Sequence, residues 1–314
     1  MQQPIFQQLE NTKTILLAGA GGGFDVFTGL PLYFALRKMG KTVHLANLSF
    51  SRIYATYGSP IGPALVEVNA QTQPHLIYFP ELYLAQWLAE RGEPDTIFCF
   101  DRTGAKPIRE SYQILAERLQ PDAVVLVDGG TDSLMRGDEA GLGTPEEDIA
   151  SIAAVDALSV PIKMLVSLGF GIDTFHGVCH AHFLEAMAAI VQDGSFLGSW
   201  SLCPTMPEFA LYKEACAYTF ARMPNHPSIV NTSIISAVEG NFGNHHANYR
   251  TEGSELFINP LMSLYFAFQL EPIVKRNLYI DLIRETESYQ ELQLTIERFR
   301  YSLQTHKPWQ NLPM

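Results

Sequence analysis

Acidic side chains, adjacent glycines and one arginine are concentrated in the stretch VLVDGGTDSLMRGDE at residues 125–139. An apolar run typical of a buried strand ends at Asp128, and Asp132 and Asp138 follow it. Carboxylates gathered in one cleft raise one another's pKa, which suits general acid–base catalysis. Their oxygens also suit Mg²⁺ or Mn²⁺ better than zinc. We therefore take Asp128, Asp132 and Asp138 as candidate catalytic residues, and Asp128 and Asp132 as candidate metal ligands.

The same stretch offers groups that could bind a ligand. Gly129 and Gly130 allow the backbone to turn sharply or to approach a ligand closely. Thr131 supplies a hydroxyl group, and Arg136 supplies a planar fork for a carboxylate or a phosphate. A solvated acidic loop with Arg136 paired internally would have the same composition. The spacing matches neither a calcium loop nor a defined magnesium motif, so both interpretations stay open.

A second glycine loop, LLAGAGGGFD at residues 16–25, has the position of a dinucleotide-binding loop but not its pattern. Phe24 stands where the third glycine or alanine is required, and Asn47 lies where an acidic residue should end the second strand. NAD is therefore unlikely by the standard fingerprint. The loop is either a tight packing turn capped by Asp25, or a ligand cradle. The cradle residues would be Gly21, Gly22, Gly23 and Asp25.

Histidines follow another predicted strand in GFGIDTFHGVCHAHF at residues 169–183. Asp173 is a candidate ligand-binding residue, and His176 and His180 are candidate proton carriers in catalysis. His176, Cys179 and His180 would share one face of an early-starting helix and could hold zinc. Buried cysteines and capping histidines are commoner than metal ligands, so the zinc interpretation is the weaker one.

A long polar loop, VEGNFGNHHANYRTEGSE at residues 238–255, provides two further candidates for ligand binding, Asn241 and His245. Loops of this composition are often exposed turns. Its length and position also suit a wall or lid of the same pocket.

Apolar runs that predict strands alternate with amphipathic stretches that predict helices, as in βα units. The predicted strands are 14–19, 42–48, 76–79, 96–100, 123–128 and 162–169, with a late β-branched strand at 228–238. Thr144 and Glu147 form a capping-box pattern before a helix that starts at Pro145. The pattern predicts a doubly wound, mainly parallel, Rossmann-like α/β fold. We expect a single domain over 1–314, with a strand–helix core at 1–258 and a mostly helical C-terminal segment at 259–314.

Composition narrows the class of protein. The net charge of −12 argues against general nucleic-acid binding, which needs a basic surface. Apolar stretches are interrupted before they reach membrane-spanning length, and the polar N-terminus does not resemble a signal peptide. The four cysteines show no disulfide-like spacing, so we expect a reduced, cytoplasmic protein without membrane partners. A homodimer is the default expectation for a protein of this class.

Two blocks carry a family resemblance. GAGGGFDVFTGLPL at 19–32 and LVDGGTDSLMRGDEAGLGTPEED at 126–148 resemble the domain of unknown function 1152 family. The similarity extends through FGIDTFHGVCHAHF and GNFGNHH. The resemblance supports the fold and the choice of blocks, and it implies no reaction.

These residues together predict an enzyme that acts on a small polar metabolite by hydrolysis or group transfer, with the carboxylates serving either as metal ligands or as acid–base groups. A nucleotide, nucleoside or sugar-phosphate fits by analogy with the fold alone. The alternative is a non-catalytic protein that binds a small ligand or regulates another protein. Either hypothesis requires Asp25, Asp128, Asp132 and His176 to line one cleft, because the carboxyl ends of parallel strands meet at one sheet edge.

Overall fold

The computed structural model describes residues 3–56, 58–73 and 78–312, and over these residues it contains one nine-stranded sheet. The strands are β1 (Thr14–Gly19), β2 (Thr42–Ser49), β3 (Ser59–Gly62), β4 (Leu65–Val68), β5 (Ile97–Asp101), β6 (Ala123–Asp128), β7 (Ile162–Leu168), β8 (Phe196–Ser201) and β9 (Leu264–Gln269). Their order across the sheet is β3-β4-β5-β2-β1-β6-β7-β9-β8. The five central strands, from β5 to β7, run parallel, and the strands on both flanks are antiparallel.

Helices pack on both faces of the sheet. They are α1 (Pro4–Gln8), α2 (Asp25–Thr28), α3 (Leu30–Lys38), α4 (Pro80–Ala89), α5 (Ala105–Leu119), α6 (Pro145–Asp156), α7 (His180–Gln192), α8 (Pro207–Arg222), α9 (Ile229–Val238), α10 (Leu270–Arg276), α11 (Ile280–Ile283) and α12 (Tyr289–Ser302). Side chains alternate between two apolar cores along each strand: Ile15 and Leu17 enter one, and Leu16 and Ala18 enter the other. A strand that is apolar on both faces is typical of a central parallel strand.

The late β-branched segment is a helix, so the strand predicted at 228–238 was wrong. Ser228 caps α9 by accepting a hydrogen bond from the Asn231 amide at 3.1 Å. Ile234, Ala237 and Val238 are buried at helical spacing. Packing and the cap override the strand preference of the isoleucines and valines, as tertiary context often does.

The C-terminal segment is not purely helical. β9 lies between β7 and β8 in the sheet, so residues beyond 259 complete the core as well as covering it. The hairpin of β3 and β4 and the edge strand β8 were not predicted. Of the strand predicted at 76–79, residues 76 and 77 lie outside the described residues, while Tyr78 and Phe79 precede α4 and belong to no strand.

Across the described part of the chain, no helix combines the length and the apolar character needed to cross a membrane.

Candidate functional site

Three parallel strands deliver carboxylates to the same edge of the sheet. Asp25 follows the glycine loop after β1, Asp128 is the last residue of β6, and Asp173 lies in a short 3₁₀ turn after β7. β6 pairs with β1 on one side and with β7 on the other, so these carboxyl ends are neighbours. The sequence prediction that these residues gather at one edge agrees with their placement.

Asp25, Asp128 and Asp148 form the innermost group. Each offers one carboxylate oxygen, and the three oxygens lie within 4.8 Å of one another. Within residues 3–56, 58–73 and 78–312, no other set of three or more His, Cys, Asp or Glu side chains converges in this way. Asp128 and Asp148 are only 2% and 3% exposed, and Oδ1 of Asp148 has no hydrogen-bond partner among the described residues. The group is therefore buried, anionic and incompletely satisfied.

The glycines of both loops leave room for these carboxylates. A Cβ atom on Gly21 would lie 2.7 Å from Oδ2 of Asp148 and 2.8 Å from Oδ2 of Asp25. A Cβ atom on Gly129 would lie 2.7 Å from Oδ1 of Asp25. The Gly21 amide donates a hydrogen bond to Oδ2 of Asp25 at 2.7 Å. The first loop thus brings its backbone against carboxylates, which explains its glycines without a bound phosphate.

Two further carboxylates surround this group and fix the loops. Asp173 accepts a hydrogen bond from the Thr131 amide at 2.6 Å, and Asp132 accepts one from the Thr144 amide at 2.9 Å. Because Thr144 is engaged with Asp132, its side chain does not cap α6, and the predicted capping box is not formed. Pro145 does begin the helix, as predicted.

α6 carries Asp148 into the site. One turn further along this helix, the hydroxyl of Ser151 donates a 2.8 Å hydrogen bond to the carbonyl oxygen of Ala20 in the glycine loop. This bond fixes the first turns of α6 against the carboxyl end of β1. Asp148 consequently faces Asp25 and Asp128, although its sequence neighbours suggested only a helix start.

Burial raises the pKa values of all five carboxyl groups, and repulsion from neighbouring carboxylates adds to this for four of them. Burial, the largest effect, together with the negative charge of Asp132 raises the pKa of Asp25 to about 8, against the hydrogen bond from Gly21. Burial also raises the pKa of Asp128, Asp148 and Asp173 well above the ordinary range, and neighbouring aspartates add to the effect. The pKa of Asp132 is raised by burial as well, and the hydrogen bonds from Thr144 oppose this. A bound cation would favour the ionised form of these carboxyl groups and so lower their pKa values.

A cavity of about 480 Å³ opens beside Asp25. Its lining includes Gly22, Gly23, His176 and the aromatic rings of Phe50 and Tyr78. Its volume lies within the range of about 300–1,000 Å³ that is usual for small-molecule sites. Asp25 and His176 line this cavity, whereas Asp128 and Asp132 are not among its lining residues, so only two of the four residues expected to share one cleft do so.

The family model described as Protein of unknown function (DUF1152) matches residues 16–301, which is nearly the whole chain. The chain belongs to this family. Comparisons with curated proteins and with solved structures gave no significant match. The DUF1152 match includes all five aspartates of the site, and it carries no activity over to them.

Several predicted site residues of this DUF1152 protein lie elsewhere. Arg136 and Asp138 pair with each other at 2.9 Å, and Lys307 approaches Asp138 from the C-terminal segment. Internal pairing of Arg136, the simpler of the two interpretations of this loop, is thus the observed one. His180 lines a separate cavity near Thr174, and the Cys179 thiol donates to the Gln310 carbonyl oxygen.

The zinc interpretation is not supported, since His176, Cys179 and His180 do not converge as ligands among the described residues. In the polar loop, the side chain of Asn241 bonds to the Ser236 carbonyl oxygen, and the His245 amide bonds to that of Gly243. Neither residue lines the cavity beside Asp25.

Sequence reasoning missed Asp148 and the aromatic residues of the cavity. The signal for Asp148 was present in PEED, where it is the third of three consecutive acidic residues in the first turn of α6. Phe50 directly follows β2 and belongs to the same strand-end pattern as Asp128. Tyr78 falls in a stretch that resembled a strand.

Glu81 gives a prediction that is separate from the aspartates of this DUF1152 protein. It is fully buried, and its Oε1 accepts a 2.8 Å hydrogen bond from Asn47, which also bonds to the carbonyl oxygen of Gly23 in the glycine loop. Burial raises the pKa of Glu81 to about 7, against the hydrogen bond from Asn47. The folded-state pKa of Glu81 lies above the unfolded value of about 4. Glu81 therefore lowers the free energy of unfolding increasingly as the pH rises from about 4 to 7.

We therefore expect the Glu81→Gln variant to be more stable than the wild type, and this difference in the free energy of unfolding should grow by about 2–3 kcal/mol from pH 5 to pH 8. Urea unfolding at both pH values measures the difference. The exposed Glu117→Gln is the matched control and should show no pH-dependent gain. An equal effect of Glu81→Gln at both pH values would contradict the prediction.

Proposed function

We propose that this protein is an enzyme that holds a divalent cation, Mg²⁺ or Mn²⁺, at Asp25, Asp128 and Asp148. The enzyme would act on a small polar metabolite by hydrolysis or group transfer. The observation that carries this proposal is the convergence of three buried carboxylate oxygens within 4.8 Å of one another, while Oδ1 of Asp148 has no hydrogen-bond partner among the described residues. A bound cation would supply that oxygen with a partner and compensate the buried negative charge.

The donor set favours a hard cation. All three groups are carboxylates, which suit Mg²⁺ and Mn²⁺, whereas zinc sites are richer in histidine and cysteine. The sequence predicted Asp128 and Asp132 as metal ligands. Asp128 is kept in the proposal, while Asp132 is engaged with Thr144 and is assigned to the surrounding layer.

Each residue has a role in the proposed reaction. Asp25, Asp128 and Asp148 would hold the cation, which would supply Lewis-acid chemistry at this site. His176, which lines the cavity with Asp25, is the candidate proton carrier. Asp173 and Asp132 hold the backbone at Thr131 and Thr144, and so fix the two segments that lead to the metal ligands.

The position of the site supports a ligand-binding role. In doubly wound sheets, ligands bind outside the carboxyl ends of the strands, and a Rossmann-like arrangement would place the cavity there. We further propose that the protein works in the reduced environment of the cytoplasm, as its cysteine content suggests. A homodimer remains part of the proposal without a specific interface.

The test is metal-dependent turnover by the full-length protein. Stripped of metal and then given Mn²⁺, the protein should convert at least one member of a panel of phosphate esters, nucleosides and sugar derivatives. Asp128→Asn should lower the rate by about 100-fold or more, since loss of a ligand or its support typically costs this much. The control is Asp281→Asn, at an exposed aspartate of α11.

Two results would oppose the enzyme hypothesis in different ways. Stabilisation by a panel member without product would identify a binding or regulatory protein. Turnover that is independent of Mn²⁺ and unaffected in Asp128→Asn would remove the assigned site from the reaction.

A further inference from the structure

One wall of the cavity beside Asp25 carries an arginine, although the protein as a whole is strongly acidic. Arg250 and His226 line the cavity, together with Ser228 and the first turn of α9. The chain has 33 acidic and 21 basic residues. Arg250 nevertheless places a positive charge in the same cavity as Asp25. Helix N-termini also carry free backbone N–H groups, which favour anions.

Arg250 is held in place by the polar loop. One Nη donates to the Pro227 carbonyl oxygen at 2.8 Å, and the Arg250 amide donates to Asn248 at 2.9 Å. Asn248 in turn donates to the hydroxyl of Thr232 on α9 at 2.6 Å. The loop therefore fixes the guanidinium at the entrance of α9.

The Arg250 side chain is exposed, and most of its N–H donors have no partner among the described residues. Of its five N–H groups, only the one directed at Pro227 is engaged within residues 3–56, 58–73 and 78–312, and no carboxylate in those ranges lies within 4.0 Å of it. Tyr78 lines the same cavity as Arg250 and Asp25. Its pKa is raised chiefly by burial and further by Glu81 and Asp25, while the charge of Arg250 acts in the opposite direction.

Aromatic rings form the remaining wall. Phe50 is 46% exposed and packs against the glycine loop, where a Cβ atom on Gly23 would lie 3.2 Å from the ring. Tyr78 meets the ring of His226 edge-on, with centroids 5.7 Å apart. An exposed aromatic side chain in a cavity offers a surface on which a sugar or base can stack.

We infer that the substrate is a phosphorylated metabolite with a sugar or base ring, whose phosphate is bound by Arg250 and whose ring packs on Phe50. This inference rests on the proposed function, because it names the substrate class of the same site. Of the substrate classes suggested by the fold, nucleotides and sugar phosphates carry the required phosphate group. An unphosphorylated nucleoside does not carry it and is excluded by this inference. An arginine fork matches phosphate geometry, and hydrogen bonds between two charged groups are the strong ones.

Calorimetric titration with matched pairs tests the inference. The probes are ribose 5-phosphate against ribose, adenosine 5′-monophosphate against adenosine, and inorganic phosphate, each with Mn²⁺ and with a chelator. We expect the phosphorylated member of at least one pair to bind about tenfold or more tightly than its partner. Arg250→Gln should remove that preference, Arg250→Lys should retain part of it, and the control Arg298→Gln should leave it unchanged.

Separate readouts distinguish the two proposals. Titration of Mn²⁺ alone into the wild type and Arg250→Gln should give equal affinities, because Arg250 is not a ligand. A wild type that fails to bind Mn²⁺, yet binds phosphate through Arg250 in chelator, would reject the metal enzyme and keep the anion site. Equal binding of the paired probes by the wild type would overturn the inference. An unchanged preference in both Arg250 variants would overturn it as well, and Arg250→Lys serves where Arg250→Gln unfolds.

Discussion

Replacement of Asp148 by asparagine should make the metal-free protein more stable and abolish its response to Mn²⁺. Asp148 is 3% exposed, one of its oxygens lacks a partner among the described residues, and Asp128 and Asp132 add negative charge. A buried carboxylate without a cation costs several kcal/mol, so removing it should stabilise the metal-free protein by about 2 kcal/mol at pH 8. Functional residues often lower the stability of a protein, so a gain in stability when Asp148 is replaced would be typical of a ligand-binding site.

The wild type should behave in the opposite way when metal is added. At a free Mn²⁺ concentration of about 100 times its Kd, the free energy of unfolding should rise by about 2.7 kcal/mol. Denaturant unfolding with Mn²⁺ and with a chelator measures both quantities for the wild type and Asp148→Asn. If Asp148→Asn is destabilised without metal and still responds to Mn²⁺, the assignment of Asp148 as a ligand is wrong.

The metal-free protein should lose stability as the pH rises from about 5 to 8, by at least about 3 kcal/mol. Burial, with neighbouring acids, raises the pKa of Asp25 to about 8 and that of Glu147 to about 7. Burial alone raises the pKa of Glu81 to about 7. These folded-state values exceed the unfolded values of about 4, so the folded protein holds more protons throughout the window. The contribution of these groups to the free energy of unfolding is therefore at its maximum below about pH 4 and decreases as the pH rises and they ionise.

Mn²⁺ should reverse this trend, because it binds the ionised carboxylates and releases protons. Its stabilising effect should grow with pH over the same window. Unfolding in urea at several pH values, with and without Mn²⁺, and calorimetry in buffers of different ionisation enthalpy measure the change in stability and the proton release. A metal-free protein whose stability is constant or rises between pH 5 and pH 8 would contradict the assigned pKa values.

The central sheet could be predicted from sequence because its strands are apolar on both faces and alternate with helices. β1, β2, β5, β6 and β7 all lie at or within two residues of their predicted positions. The flanking strands β8 and β9 could not be predicted from sequence, because a long helical stretch separates them and their pairing is non-local. α9 was mistaken for a strand because local β-branched preference does not record the packing that decides its conformation.

The site was predictable where strand ends determine it. Asp25, Asp128 and Asp173 each follow a parallel strand, and parallel strands end at one edge. Asp148 was not predictable in this way, because its position depends on how α6 packs against the glycine loop through Ser151. The proximity of Arg136 and Asp138 in sequence was misleading, since their charges satisfy each other.

The three carboxylates that converge at the sheet edge come from the start of α2, the end of β6 and the first turn of α6. A cation bound by all three would cross-link segments that are distant along the chain. Local opening of the glycine loop or detachment of α6 would then require release of the ion, so these motions become rarer without any change in the average fold. The time for which the loop and helix stay closed would thus be set by how long the cation stays bound.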